Sequence, residues 1–352
     1  MIQIDGFPRP SGEWLSGEGP YSNLVISSRI RLARNFTEYP FTSVADGLQK
    51  AAVADKVLDC LQALRPGLDL KVVHLDDISQ INRLILMERH LISREHAIAS
   101  GPRLVAYNGQ ETISLMANEE DHLRLQVVRS GYQLEDAWQE MEKLERSLDG
   151  TSQFAFDDQF GYLTACPTNV GTGMRASVML HLPALVITRQ IEKVFQAATK
   201  INLAVRGFYG EGTQALGDFY QISNQRTLGV SEQGILANIS ALLPNIINYE
   251  KVLRRELLDS RRDVFEDKIW RAFGALANAR VISSKETMEL LSLVRLGVAL
   301  KIIDNIELRH VNEVFLFTQP GHLQAHVGRE LHSQERDVQR AVLIRNCLAD
   351  LP

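Results

Sequence analysis

Cysteine is scarce in this sequence. The 352 residues hold three, Cys60, Cys166 and Cys347. An odd, scattered set with no paired spacing speaks against a disulfide framework or a zinc site. No run of about 18 apolar residues occurs, so no membrane-spanning helix is expected. The start, Met1 to Pro10, lacks a basic flank followed by an apolar core, and no signal peptide is read there. Basic excess is missing too. Lysine and arginine number 38 against 43 acidic residues, a net charge of −5. That argues against bulk binding of nucleic acid and leaves room only for a local basic pocket. There is no internal repeat and no low-complexity segment. The expectation is a cytoplasmic protein with neither membrane nor nucleic acid as partner.

What is present suits a folded chain. Apolar residues make up 45% and charged residues 23%, ordinary values for a globular protein. The length favours two domains over one core.

Residues 1–22 read as an irregular arm anchored by Trp14. In Leu24–Asn35 the alternation puts Arg29 and Arg31 on one strand face and Ile30 and Leu32 on the other. Two like charges so placed repel unless an anion lies between them, or unless the face is a solvated edge. A helical period covers 45–65 and stops at Pro66-Gly67. A short strand, 71–75, and an apolar run, 81–92, follow. Asn108-Gly109 separates two strand-like runs, 104–107 and 112–117, as a hairpin. The second run delivers Asn118-Glu-Glu-Asp-His-Leu-Arg124, whose three adjacent carboxylates raise one another's pKa unless cations stand near.

A helix is expected over 133–148, and then comes Cys166-Pro-Thr-Asn-Val-Gly-Thr-Gly-Met-Arg-Ala-Ser177. Its glycines allow close backbone approach, and such turns favour bound anions. A helix over 187–198 precedes a strand that enters the glycine-rich turn Arg206–Gly212. From Ser231 onward strand patterns stop. Residues 231–259 are helical in period, with a kink or break expected at Pro244. Ser283 to Glu286 is a capping box, Pro320-Gly321 a break, and 334–348 the last helix.

Cys166-Pro-Thr-Asn resembles the signature of the phosphagen (guanidino) kinases. The resemblance implies that Ser27, Arg29 and Arg31 grip nucleotide phosphates, and that His90 packs on the adenine. Asn118–Arg124 is similar to the family's acidic signature, which makes Glu120 the carboxylate facing the substrate guanidinium and Arg124 a phosphate ligand. Arg175 and Arg206 complete a set of five phosphate-binding arginines. Glu211 becomes the second carboxylate on the guanidinium, and Cys166 a thiolate that positions it. The implied cosubstrate is ATP with Mg²⁺. No protein metal cage is expected, since the ion is held mainly by phosphate and water. The implied fold is α+β, an antiparallel sheet flanked by helices, followed by an all-helical C-terminal domain.

The Ser-x-Arg-x-Arg strand begins at residue 27, so the domain that small-molecule members carry ahead of it is expected to be missing. The extra C-terminal helices resemble those of the bacterial protein-arginine kinases (McsB type). On that resemblance residues 1–259 form the catalytic domain and 260–352 a helical domain for phosphoarginine binding and dimerisation. Arg336, Asp337 and Arg340 match that family's Arg-Asp-x-x-Arg-Ala motif for phosphoarginine. Asp337 and Arg340 also share a helix face, as an ordinary surface ion pair would. The resemblance further implies protein substrates with exposed arginine, an activator protein, a protease–chaperone complex and a homodimer or higher assembly. The competing readings are a kinase of a small guanidino metabolite such as free arginine, and a phosphoarginine-binding adaptor without kinase activity.

Overall fold

The alternation around Arg29 and Arg31 becomes strand β1 (Val25–Arg34) in the computed structural model, which describes residues 12–64, 68–149, 153–207 and 215–349. After it come α1 (Gly47–Leu64), β2 (Leu70–His74), α2 (Gln80–Glu88) and α3 (Arg94–Ile98). The hairpin expected at Asn108-Gly109 is β3 (Leu104–Asn108) and β4 (Ile113–Ala117), continued by β5 (Leu123–Ser130) and α4 (Leu134–Asp149). A short ribbon, β6 (Phe156–Asp157) and β7 (Gly161–Tyr162), leads to β8 (Met174–His181). Then follow α5 (Pro183–Ile187), α6 (Ile191–Lys200), β9 (Leu203–Gly207) and β10 (Phe219–Asn224). Helices complete the chain: α7 (Glu232–Asn278), α8 (Ser284–Ala299), α9 (Leu308–Phe317), α10 (Pro320–Val327) and α11 (Ser333–Ala349).

Eight strands form one antiparallel sheet in the order β2-β3-β4-β5-β1-β8-β10-β9. The strand with two like charges is therefore interior, hydrogen-bonded on both sides, and not a solvated edge. Its apolar face is fully buried at Ile30 and Leu32, packed with Val53 and Val57 of α1 and Trp138 and Met141 of α4. That burial forces Arg29 and Arg31 onto the opposite face, because successive strand side chains alternate.

The C-terminal helices are built onto the same sheet. Ile26, Met179 and Phe219 join Phe265, Ile269, Leu291 and Phe315 in a second core. A buried polar lock crosses this junction. Arg295 Nη2 donates to Ser22 O at 2.7 Å, its Nη1 lies 3.0 Å from His181 Nδ1, and Ser292 Oγ lies 2.9 Å from His181 Nε2. At the other end of the sheet Glu88 of α2 caps α10, accepting from Gly321 N at 2.6 Å and His322 N at 3.0 Å.

Several local expectations change. The helix expected over 187–198 starts only at Ile191, as α6, because Arg189 takes φ 58° and separates it from α5. Helix α7 runs through Pro244, and its one non-helical residue is Arg261 (φ −148°, ψ 45°). The break expected at Pro320-Gly321 lies just before it, between the end of α9 at Phe317 and α10, which Pro320 opens and where its missing N–H costs no hydrogen bond. The helix stop expected at Pro66-Gly67 lies outside the described residues.

Candidate active site

A cavity of about 740 Å³ opens on the polar face of the sheet. Five arginines reach it from four strands: Arg29 and Arg31 from β1, Arg124 from β5, Arg175 from β8 and Arg206 from β9, with Gln221 of β10 among them. Four of the arginines are placed by sheet register. Arg31 stands directly opposite Arg175 on β8, and Ala33 opposite Arg124 on β5.

Their charges are poorly compensated. Arg124 Nη1 meets Glu119 Oε2 at 2.6 Å, and Arg29 Nη2 donates to Gln221 Oε1 at 2.8 Å. The Nε atoms of Arg31 and Arg175 have no partner among the described residues. Burial, then repulsion from Arg124 and Arg175, lowers Arg29 to about 10. Arg31 is pushed down further by burial and by Arg29, Arg124 and Arg175. Guanidinium groups stay charged in proteins, so the array is a cationic cradle under strain that a polyanion would relieve.

The acidic hairpin explains how three adjacent carboxylates coexist. Burial would raise Glu119, but Arg124, Ser93 and the Glu120 N–H overcome this and hold its carboxyl at about 2. Asp121 is buried and accepts from Asn35 Nδ2 and from Ala165 N, both at 2.7 Å. Two of the three are thus committed to structure. Both Glu119 and Glu120 line the cavity, but of the three only Glu120 is exposed. Partial burial, Asp121 and Glu119 raise its pKa, which suits a group that must take a proton. The Asp121–Ala165 bond also draws the 164–172 loop to the hairpin, which brings Cys166, its Sγ 3.0 Å from Thr168 Oγ1, close to Glu120. The glycines of that loop serve close approach. Gly171 sits at φ 113°, and a Cβ there would strike the Thr227 carbonyl.

Other expected residues lie elsewhere. Glu211 falls outside the described residues. Ser27 is buried on β1 and does not line the cavity. His90 is not at the cavity either. Its ring meets Trp14 edge-on at 4.9 Å, and burial beside Arg29 and Arg31 lowers it to about 3.

The C-terminal triplet differs most from its expected use. Arg340 is 2% exposed, and it donates to Thr318 O at 3.1 Å, Ile282 O at 2.9 Å and Asp337 Oδ1 at 2.6 Å. Arg336 Nη1 donates to Leu331 O at 2.8 Å. In this arrangement Arg340 ties α11 to the segments before α8 and α10, and offers no open fork to a phosphate. Conversely, α3 and the residue that caps it supply three lining residues that escaped the motifs, Glu95, His96 and Ala99. A helix of five residues shows no periodic pattern that would have exposed them.

Residues 52–253 match the family described as "ATP:guanido phosphotransferase, C-terminal catalytic domain". The chain belongs to the ATP:guanido phosphotransferase family. Residues 262–352 match "Protein-arginine kinase McsB C-terminal domain". Similar members of the family include a protein named "Protein-arginine kinase" from Brevibacillus brevis, 45% identical over 99% of this chain and 98% of its own length. Another of that name, from Symbiobacterium thermophilum, is 46% identical over 96% of each chain. Among solved structures, the duplicated taurocyamine kinase from Schistosoma mansoni superposes with a TM-score of 0.59 at 25% identity, covering 69% of this chain and 34% of its own. Lombricine kinase superposes with a TM-score of 0.59 at 22% identity, over 70% of this chain and 73% of its own, a likeness of fold. The family's antiparallel α+β fold is the one expected. Among the described residues no helix is long and apolar enough to cross a membrane.

Proposed function

We propose that the chain transfers the γ-phosphoryl group of ATP to the guanidino group of arginine side chains in proteins. The observation that carries this is the pairing of an under-compensated five-arginine cradle with one uncommitted carboxylate, Glu120, at its rim. Phosphoryl transfer asks chiefly for positioning and for neutralising charge spread over phosphate oxygens. Arg29, Arg31, Arg124, Arg175 and Arg206 do both with fixed, permanently charged forks. Glu120 orients the attacking nitrogen and accepts the proton it loses as the N–P bond forms and the bond to ADP breaks. Glu211 follows β9 in the sequence, and we assign it the opposite side of the guanidinium from Glu120. Cys166 holds Glu120 and the substrate in register and is not a nucleophile in this scheme. Mg²⁺, held mainly by the nucleotide phosphates, supplies further neutralisation.

Protein arginine is favoured over a free guanidino acid by the C-terminal match and by the relatives' shared name. The adaptor reading loses support because Arg340 is engaged within the chain. We further propose that the division lies near 260, since α7 leaves helical geometry at Arg261 and the two family matches end at 253 and begin at 262. A dimer through the helical domain, an activator and a role in marking proteins for proteolysis belong to the same proposal. Incubation with ATP, Mg²⁺ and an unstructured protein, followed by mass spectrometry for acid-labile phosphosites, tests it. Phosphate on arginine is expected. Its absence, with ATP turnover on free guanidino compounds, would refute it.

A further inference from the structure

We propose that an apolar rim formed by Val44, Leu48 and Ile98 receives the residues flanking the acceptor arginine in a substrate polypeptide. This rests on the protein-arginine kinase reading of the cavity. The three side chains are 75%, 83% and 75% exposed, the highest values among the large apolar residues described as exposed. Isolated apolar residues on a surface are ordinary, but a cluster beside a polar cavity marks an interaction site.

The three converge on one place. Asn118 lines the cavity, and its Nδ2 donates to Lys50 O at 2.7 Å and to Pro102 O at 2.8 Å. Lys50 is two residues beyond Leu48 in the first turn of α1, and Pro102 follows closely on Ile98 at the end of α3. Thr42, just before Val44, donates its hydroxyl to the Glu120 carbonyl. Ala99, next to Ile98, is itself a lining residue. The segments that carry the three apolar side chains are therefore anchored beside Asn118 and Glu120, where the guanidinium is to be met.

Charge and polarity together specify the occupant. Glu95 and Glu120 give this side of the cavity an acidic lip that admits a cationic side chain. The apolar residues beyond the lip have nothing to contact on a free guanidino acid, whose own carboxylate the lip would repel. A polypeptide carrying the arginine on an uncharged backbone, with an apolar neighbour, satisfies both.

The full chain should be assayed with synthetic peptides bearing one arginine flanked either by leucine or by serine. The expected result is about tenfold lower KM for the leucine-flanked peptide at similar kcat, the worth of one partly buried leucine. In Leu48→Asp and in Ile98→Asp that preference should shrink toward unity, with kcat at saturation and KM for ATP unchanged. Equal KM for both peptides in the wild type needs no variant and would overturn the inference while leaving the kinase reading intact. A Leu48→Asp change that alters the oligomeric state but not the peptide preference would assign the rim to a second copy of the chain and overturn it too. Failure to phosphorylate either peptide, with turnover of free arginine, would overturn both readings.

Discussion

Replacing Glu119 with Gln removes the carboxylate that, among the described residues, pairs with an arginine of the cradle. Its side chain is 4% exposed and contacts Arg124 Nη1 at 2.6 Å, Ser93 Oγ at 2.7 Å and Glu120 N at 3.1 Å. Its carboxyl sits at about 2 instead of the ordinary 4.5. That difference corresponds to about 3 kcal/mol of folding stability at neutral pH, in line with the cost of breaking a buried pair. Because the folded pKa is depressed, the contribution is fully present above about 4.5 and is lost as pH falls through about 2. Denaturant unfolding of wild type and Glu119→Gln at several pH values measures it. The gap should be widest near pH 7, begin to shrink below 4.5, and narrow when ADP supplies negative charge to the arginines. A gap that does not change with pH, or no gap at all, would refute the reasoning.

Glu120→Gln should lower kcat by about 10² to 10⁴-fold, the range for a lost general base, and leave the Kd for ATP nearly intact by calorimetry. The acidic limb of the wild-type rate profile should fall at a pH above the ordinary carboxylate range, since burial, Asp121 and Glu119 all raise Glu120; a limb below that range would mean another base. Asp121→Asn should keep the fold but loosen the Ala165 tether, raising KM for the guanidino substrate more than KM for ATP. Arg340→Ala should destabilise the helical region by about 3 kcal/mol in unfolding experiments, because it leaves a paired buried charge site unfilled; unchanged stability would contradict the packing role.

Much of the site was legible because its logic is local. Alternation in 24–35 put two arginines on one strand face, and the crowding of Glu119, Glu120 and Asp121 called for cations, which Arg124 supplies. Which of the three stays free was legible only through the family resemblance, which pointed to Glu120, and not from spacing. Asp121 is claimed by Asn35 and Ala165, residues 86 and 44 positions away, and no spacing rule reaches that far. The placement of His90 and Arg340 was not legible for the same reason: a motif names a residue type, while tertiary packing decides whether its polar atoms face a ligand or the interior. Pro244 carried a strong local signal, yet the helix absorbs it between buried Leu243 and Ile246, and the geometry breaks instead at exposed Arg261.

The most direct test of the account compares specificity constants for an unstructured arginine-bearing protein and for free arginine, with ATP and Mg²⁺ and with phosphoarginine detected by mass spectrometry. The account predicts a higher kcat/KM on the protein, abolished in Glu120→Gln. A higher value on free arginine, or transfer that survives Glu120→Gln undiminished, would contradict it.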